Sequence, residues 1–228
     1  MSARDDILAR VRSATSDITT EPRLLARVAS SAADEPSLGG GQTGNESGGE
    51  QGTLELFVEN VADYRATVLR TREPDVAATV VSALRSAGLR SVVLPSGLDG
   101  SWCEALGEAF EVVPESEAHS PQALDVIDAV VTGCALGIAA TGTIVLDHSG
   151  DQGRRELTLV PDTHLCVIRA DQVVPDVPEA VARLGAAPHR GQPLTWISGP
   201  SATSDIELQR VEGVHGPRTL VVVLVGPD

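Results

Sequence analysis

Gly199, Pro200, Ser201, Thr203, Ser204, Asp205, Glu207, Gly213, His215, Gly216 and Pro217 crowd into residues 197–217. Their types fit the capture of an anion beside a proton-transfer group. Ser201, Thr203 and Ser204 are all good N-caps, and Ser204 with Glu207 three positions on fits a capping box that opens a short helix. Exposed N–H groups at such a start form a site for a phosphate or carboxylate. The plain alternative is that Ser204 caps the helix and nothing binds. Asp205 and Glu207 lie two apart, so they do not share a helix face. His215 stands among glycines that leave its ring approachable, and imidazole suits proton transfer near neutral pH. A lone histidine is more often packed or on the surface. The candidate catalytic residues are therefore His215, Asp205 and Glu207, and the candidate binding residues of this stretch are Gly199, Ser201, Thr203, Ser204 and Gly216.

Holding such a loop takes two firm ends. The apolar runs 194–197 and 220–225 read as buried strands, because short β-branched runs flanked by Gly and Pro favour strand over helix. A polar loop between two strands at a sheet edge is where ligands bind in open α/β sheets.

A second polar corner, Thr141-Gly142-Thr143, interrupts an apolar run over 138–146 that reads as one strand. Glycine inside a strand marks a bulge or a close backbone approach by a ligand. The two threonine hydroxyls and Gly142 are binding candidates; the alternative is threonines on an exposed strand face. Residues 151–156 read as a charged hairpin carrying Arg154 and Arg155. Such clusters are mostly solvated faces, but two guanidinium groups can hold an organic acid bidentately. His164, ahead of the strand 165–168, reads as structural rather than catalytic.

Helical spacing predicts short helices in residues 4–11 and around Leu24, Leu25 and Val28. Residues 30–52 dissolve into Gly, Ser, Glu, Gln and Asn and cannot bury enough apolar surface to offset their ordering entropy. The division is a helical arm over 1–29, a flexible linker over 30–52 and an α/β domain over 53–228. Within the domain, helices are expected at 54–69, 75–87 and 102–106, a turn or short helix at 123–128, and a helix at 178–184. Strands are expected at 92–94, 111–113 and 129–132. That alternation predicts a three-layer α/β domain with a central, mostly parallel sheet.

Composition narrows the function. The 228 residues are 42% hydrophobic but only 2% aromatic, so Val, Leu, Ile and Ala must fill the core. Net charge is −15, and all 17 basic residues are arginine. An acidic surface argues against nucleic acid or anionic membrane as partner. The absence of lysine excludes Schiff-base chemistry and a phosphate-loop lysine. Cys103, Cys134 and Cys166 are too few and too scattered for a disulfide framework, a metal knuckle or an iron–sulfur ligand set. No metal site is expected. With no apolar signal core after Met1 and no run near membrane-spanning length, the chain reads as cytoplasmic.

Three strings carry a resemblance: Gly-Pro-Ser-Ala-Thr-Ser-Asp-Ile-Glu (199–207) followed by Gly-Val-His-Gly-Pro (213–217), the run 132–146 around Thr141-Gly142-Thr143, and Leu-Val-Pro-Asp-Thr-His-Leu-Cys-Val-Ile (159–168). In this order they resemble the lactate utilisation protein C family (LutC/YkgG), built on a LUD domain, over roughly residue 64 to the C-terminus. The resemblance implies the fold of sugar-phosphate isomerases and CoA transferases. It implies a role as subunit or accessory of a complex oxidising L-lactate to pyruvate, with an organic-anion site of its own. It also implies no cofactor in this chain, iron–sulfur clusters being carried by partner proteins, and it leaves homo-oligomers open. The family pattern has Glu before Thr-Gly, where this chain has Ala140. Two other readings stand beside this one: a stand-alone transferase or isomerase acting on a CoA ester or sugar phosphate, and a ligand-binding module without chemistry.

Overall fold

Alternating helices and β-branched runs build three layers in the computed structural model, which describes residues 46–185, 191–204, 210–212 and 216–226. The chain divides into Met1–Gly44 and Asn45–Asp228, and every described residue belongs to the second unit. The arm over 1–29 and most of the linker lie outside the described residues.

The first helix, α1 (Glu46–Asp63), starts seven residues ahead of the boundary that composition suggests. It also stops six residues short of the expected end at 69. Arg65 takes a left-handed φ of 68°, and its N–H returns to Ala62 O at 2.8 Å. The β-branched pair Thr67-Val68 then opens a strand, β1 (Thr67–Arg72), where a continued helix was expected. α2 (Val76–Ser86) buries Val76, Val80 and Leu84, one stripe at i, i+4 and i+8. Gly88, at φ 73°, closes it as a left-handed C-terminal stop. There follow β2 (Ser91–Leu94), α3 (Gly100–Ala109), β3 (Glu111–Pro114), α4 (Pro121–Asp125) and β4 (Ala129–Thr132), each on its expected segment.

The run 138–146 is not one strand. It is a hairpin of β5 (Leu136–Ile138) and β6 (Thr143–Leu146), joined by a 3₁₀ turn at Ala139–Thr141. Gly142 sits left-handed at its exit, φ 55°. Then come β7 (Thr163–Arg169), β8 (Val173–Val174), α5 (Val177–Leu184), β9 (Thr195–Ile197), β10 (Ala202–Ser204), β11 (Arg210–Glu212) and β12 (Thr219–Gly226).

Six strands form the central sheet in the order β1-β12-β7-β4-β2-β3, every neighbouring pair parallel. α2 and α3 cover one face, packing Val80, Leu84, Trp102 and Leu106 on Val92, Val131, Leu165 and Val223. α1 and the second sheet cover the other, where Phe57, Val61 and Ile144 meet Cys166, Ile168 and Val222. Truncating a fully buried leucine such as Leu84 costs about 2–5 kcal/mol. The second sheet runs β8-β5-β6-β9. β9 is thus an edge strand, with Trp196 41% exposed, rather than the buried strand its apolar letters suggest.

Ser204 lies in a strand, Ala202–Ser204 pairing antiparallel with Arg210–Glu212, Ser204 opposite Arg210; the helix expected to open there falls outside the described residues. One further reading changes. Residues 151–156 are a turn leading into a 3₁₀ helix at Arg155–Thr158, not a hairpin. Among the described residues no helix is long and apolar enough to cross a membrane.

Candidate functional site

A cavity of about 260 Å³ opens where β9 of the second sheet faces the amino ends of β7 and β12. Gly199, Ser201 and Gly216, three of the residues singled out by sequence, line it together with Arg155, Thr158, His164, Thr195, Trp196 and Ser198. The turn that makes this wall is held by Ser201 N–H donating to Pro217 O at 2.8 Å. Gly199, at φ 81°, lies so close to Tyr64 that an added Cβ would stand 2.6 Å from Tyr64 Cβ. Glycine is required there by packing. The cavity lies at the amino ends of the two central strands, opposite the carboxyl-end crevice usual for open sheets.

The Thr-Gly-Thr corner braces this wall. Thr143, 3% exposed, exchanges a hydrogen bond with Ser198 Oγ at 2.8 Å and another with Thr141 Oγ1 at 2.7 Å. Gly142 has a different job from the ligand approach expected of it. A Cβ there would stand 2.6 Å from Asn60 C and 2.8 Å from Val61 N, so the glycine lets α1 pack on the corner. Asn60 also donates to Ala139 O at 2.8 Å. Ala140, in the place of the family's Glu, is exposed.

The adjacent arginines part company. Arg154 turns inward, donating to Glu115 O at 3.2 Å and to Ala118 O. Arg155 lines the cavity and makes no hydrogen-bonded ion pair among the described residues; burial lowers its pKa and neighbouring Glu156 opposes this. Its guanidinium stays charged in any case. No Asp or Glu lines the cavity among the described residues.

His164 is 1% exposed, and its Nε2 is 2.8 Å from Thr132 Oγ1. Burial pushes its pKa down from 6.5 to about 4, so the ring is neutral near pH 7. The structural role expected of it holds, and the same ring also forms part of the cavity wall. His148, with φ 57°, places Nδ1 3.0 Å from Gly153 O and Nε2 2.8 Å from Thr195 Oγ1. Sequence reasoning passed over His148, Thr195, Thr158 and Ser198. The signal available was the polar run Asp147-His148-Ser149-Gly150-Asp151 directly after a buried strand.

Asp205, Glu207 and His215 lie outside the described residues. Of Thr203 and Ser204, only the strand backbone is described. A second, larger cavity of about 1040 Å³ lies at the carboxyl ends of β7 and β12. Its arginines are already paired, Arg169 with Glu73 at 2.7 Å and Arg183 with Glu179 at 2.9 Å. Glu50 and Asp171 add further negative charge to its wall. An incoming anion is thus better received by the smaller cavity.

Cys103 packs in one core cluster, Cys134 and Cys166 in another, so these thiols do not converge on a cluster site. Among the described residues no three His, Cys, Asp or Glu gather to hold a metal ion.

The architecture defines a three-layer α/β domain with a parallel central sheet. The chain belongs to the LUD domain family, whose model matches residues 54–225. It is similar to the lactate utilization protein C of Deinococcus radiodurans, 47% identical over 173 residues that cover 76% of this chain and 79% of that protein. The uncharacterized protein YkgG of Escherichia coli (strain K12) is 27% identical, covering 77% of this chain and 80% of that one. The crystal structure of a DUF162 family protein from Deinococcus radiodurans superposes with a TM-score of 0.68 at 39% identity, covering 78% of this chain and 98% of that one.

Proposed function

We propose that this chain serves lactate utilisation by binding a small organic anion, a 2-hydroxy or 2-oxo acid, in the 260 Å³ cavity. It acts as subunit or accessory of a system oxidising L-lactate to pyruvate, and iron–sulfur partner proteins carry the electrons. The observation behind this reading is the polarity of the wall. One arginine without an ion-pair partner among the described residues, a neutral histidine and the hydroxyls of Thr158, Thr195, Ser198 and Ser201 surround a space free of described carboxylates. A guanidinium holds a carboxylate through paired N–H donors, and the hydroxyls are placed for the oxygen on the neighbouring carbon. Asp205, Glu207 and His215 enter this reading through their place in the family-like motif.

The test is lactate-dependent dye reduction in lysate from cells lacking this chain, with purified protein added back. The reading expects activity to be lost and then restored. Unchanged activity in its absence overturns the lactate role. Restoration by Asp205→Ala and His215→Ala at the wild-type level overturns their part in the site.

A further inference from the structure

Residues 147–153 form a loop built with more care than a surface turn needs, and what it delivers is one imidazole. His148 holds a positive φ of 57°, a conformation that costs a non-glycine residue energy and persists only where its surroundings fix it. The fixing group is Gln152, 2% exposed. Its Oε1 accepts from Asp147 N at 2.7 Å and His148 N at 3.2 Å, and its Nε2 donates to Ser149 Oγ at 2.8 Å. Asp147 Oδ1 accepts from Ser149 N at 3.1 Å. Gly97 N and Gly133 N, after β2 and β4, tie Gly150 O and Asp151 O to the main sheet at 2.9 and 3.0 Å.

The outcome is a fixed proton order. Gly153 O can only accept, so the His148 nitrogen facing it, Nδ1, carries a hydrogen. In the neutral ring Nε2 is therefore an acceptor, and Thr195 donates its hydroxyl hydrogen to it. Thr195 Oγ1 then has only lone pairs to offer the cavity that Thr195 lines. When His148 is protonated the bond reverses. Nε2–H donates to Thr195 Oγ1, and the threonine hydrogen is released toward the cavity.

We propose that Thr195 and His148 form a reversible hydrogen-bond pair by which this cavity tells a 2-oxo acid from a 2-hydroxy acid. This rests on the reading of the cavity as an organic-anion site. The ketone oxygen of an oxo acid only accepts and needs the Thr195 hydrogen, so it binds with a proton taken up on His148. The hydroxyl of a hydroxy acid both donates and accepts, so it is satisfied by either state of the pair. Among the described residues, the charged groups on the segments next to the ring are Asp147 and Asp151 of its own loop, Glu115 after β3, which accepts from Arg154 N, and Arg154, Arg155 and Glu156 at the start of the following 3₁₀ helix. β9, which carries Thr195, brings none.

The test is calorimetric binding of pyruvate and of L-lactate to the full chain from pH 5.5 to 8, in buffers of different ionisation enthalpy. The expectation is that pyruvate takes up a proton and binds about tenfold more tightly on acidification, while L-lactate changes little. In Thr195→Val and His148→Gln, both ligands still bind and the pyruvate dependence is lost. Equal pH slopes for the two ligands in the wild type overturn the pair, even where a variant fails to fold. A pyruvate slope that survives in Thr195→Val overturns it as well. Binding of neither ligand at any pH overturns the anion-site reading, and this inference with it.

Discussion

Thr143 Oγ1 lies 2.8 Å from Ser198 Oγ, joining two polar motifs 55 residues apart in the chain. The bond runs from β6 to the residue after β9, and so fixes the cavity rim to the corner that α1 supports. Thr143→Val keeps the shape but leaves the Ser198 and Thr141 hydroxyls without this partner. The expected loss is about 1–3 kcal/mol in urea unfolding. Anion binding should weaken severalfold as Ser198 loses its fixed position, which a titration of the same variant measures.

Gly142→Ala should destabilise the fold rather than disturb a ligand. The left-handed backbone alone costs about 1–3 kcal/mol in a non-glycine residue, and the new methyl would overlap Asn60 and Val61 of α1. A lowered urea midpoint, with ligand affinity unchanged in the molecules that remain folded, is the expected result.

His164 predicts an acid-sensitive fold. Its pKa falls from 6.5 to about 4 on burial. Between those values the unfolded chain binds a proton that the folded chain refuses, so stability declines as pH drops through that window and levels off below it. The loss attributable to this ring is about 3 kcal/mol. Unfolding free energies at pH 7 and 4 check this: the wild type should lose that much more than His164→Gln between the two.

Trp196 lines the cavity and is 41% exposed, whereas Trp102, the second of the two tryptophans, is 5% exposed. Ligand binding should therefore change emission from Trp196 alone. Trp196→Phe should abolish the ligand-induced change in fluorescence while calorimetry still detects binding.

Much of the fold is legible in the sequence because each buried strand is a short β-branched run and each core-facing helix has one apolar stripe. Val92-Val93-Leu94 and the stripe of Val76, Val80 and Leu84 announce themselves this way. The errors fall where local chemistry is overridden. Thr67-Val68-Leu69 continues a helical spacing, yet Arg65 turns the chain and β12 supplies a partner strand. Thr141-Gly142-Thr143 interrupts what reads as one strand, yet a 3₁₀ turn there folds the run into the hairpin of β5 and β6.

The site follows the same division. Gly199, Ser201 and Gly216 were found because they lie in one polar run, and they do share a wall. Arg155, Thr158 and His164 reach that wall from other parts of the chain, and His148 meets Thr195 behind it through the pairing of β6 with β9, Leu146 opposite Thr195. No spacing in sequence encodes that meeting.

The central claim turns on Arg155. Calorimetric titration of the wild type and of Arg155→Met with pyruvate and L-lactate at neutral pH tests it directly. The account predicts saturable binding of at least one acid to the wild type, weakened about tenfold to a hundredfold in the variant by loss of charged hydrogen bonds. Arg154→Met serves as control, since its guanidinium holds Glu115 and Ala118 rather than the cavity. Equal affinity in the wild type and Arg155→Met, or no binding of either acid to the wild type, would contradict it.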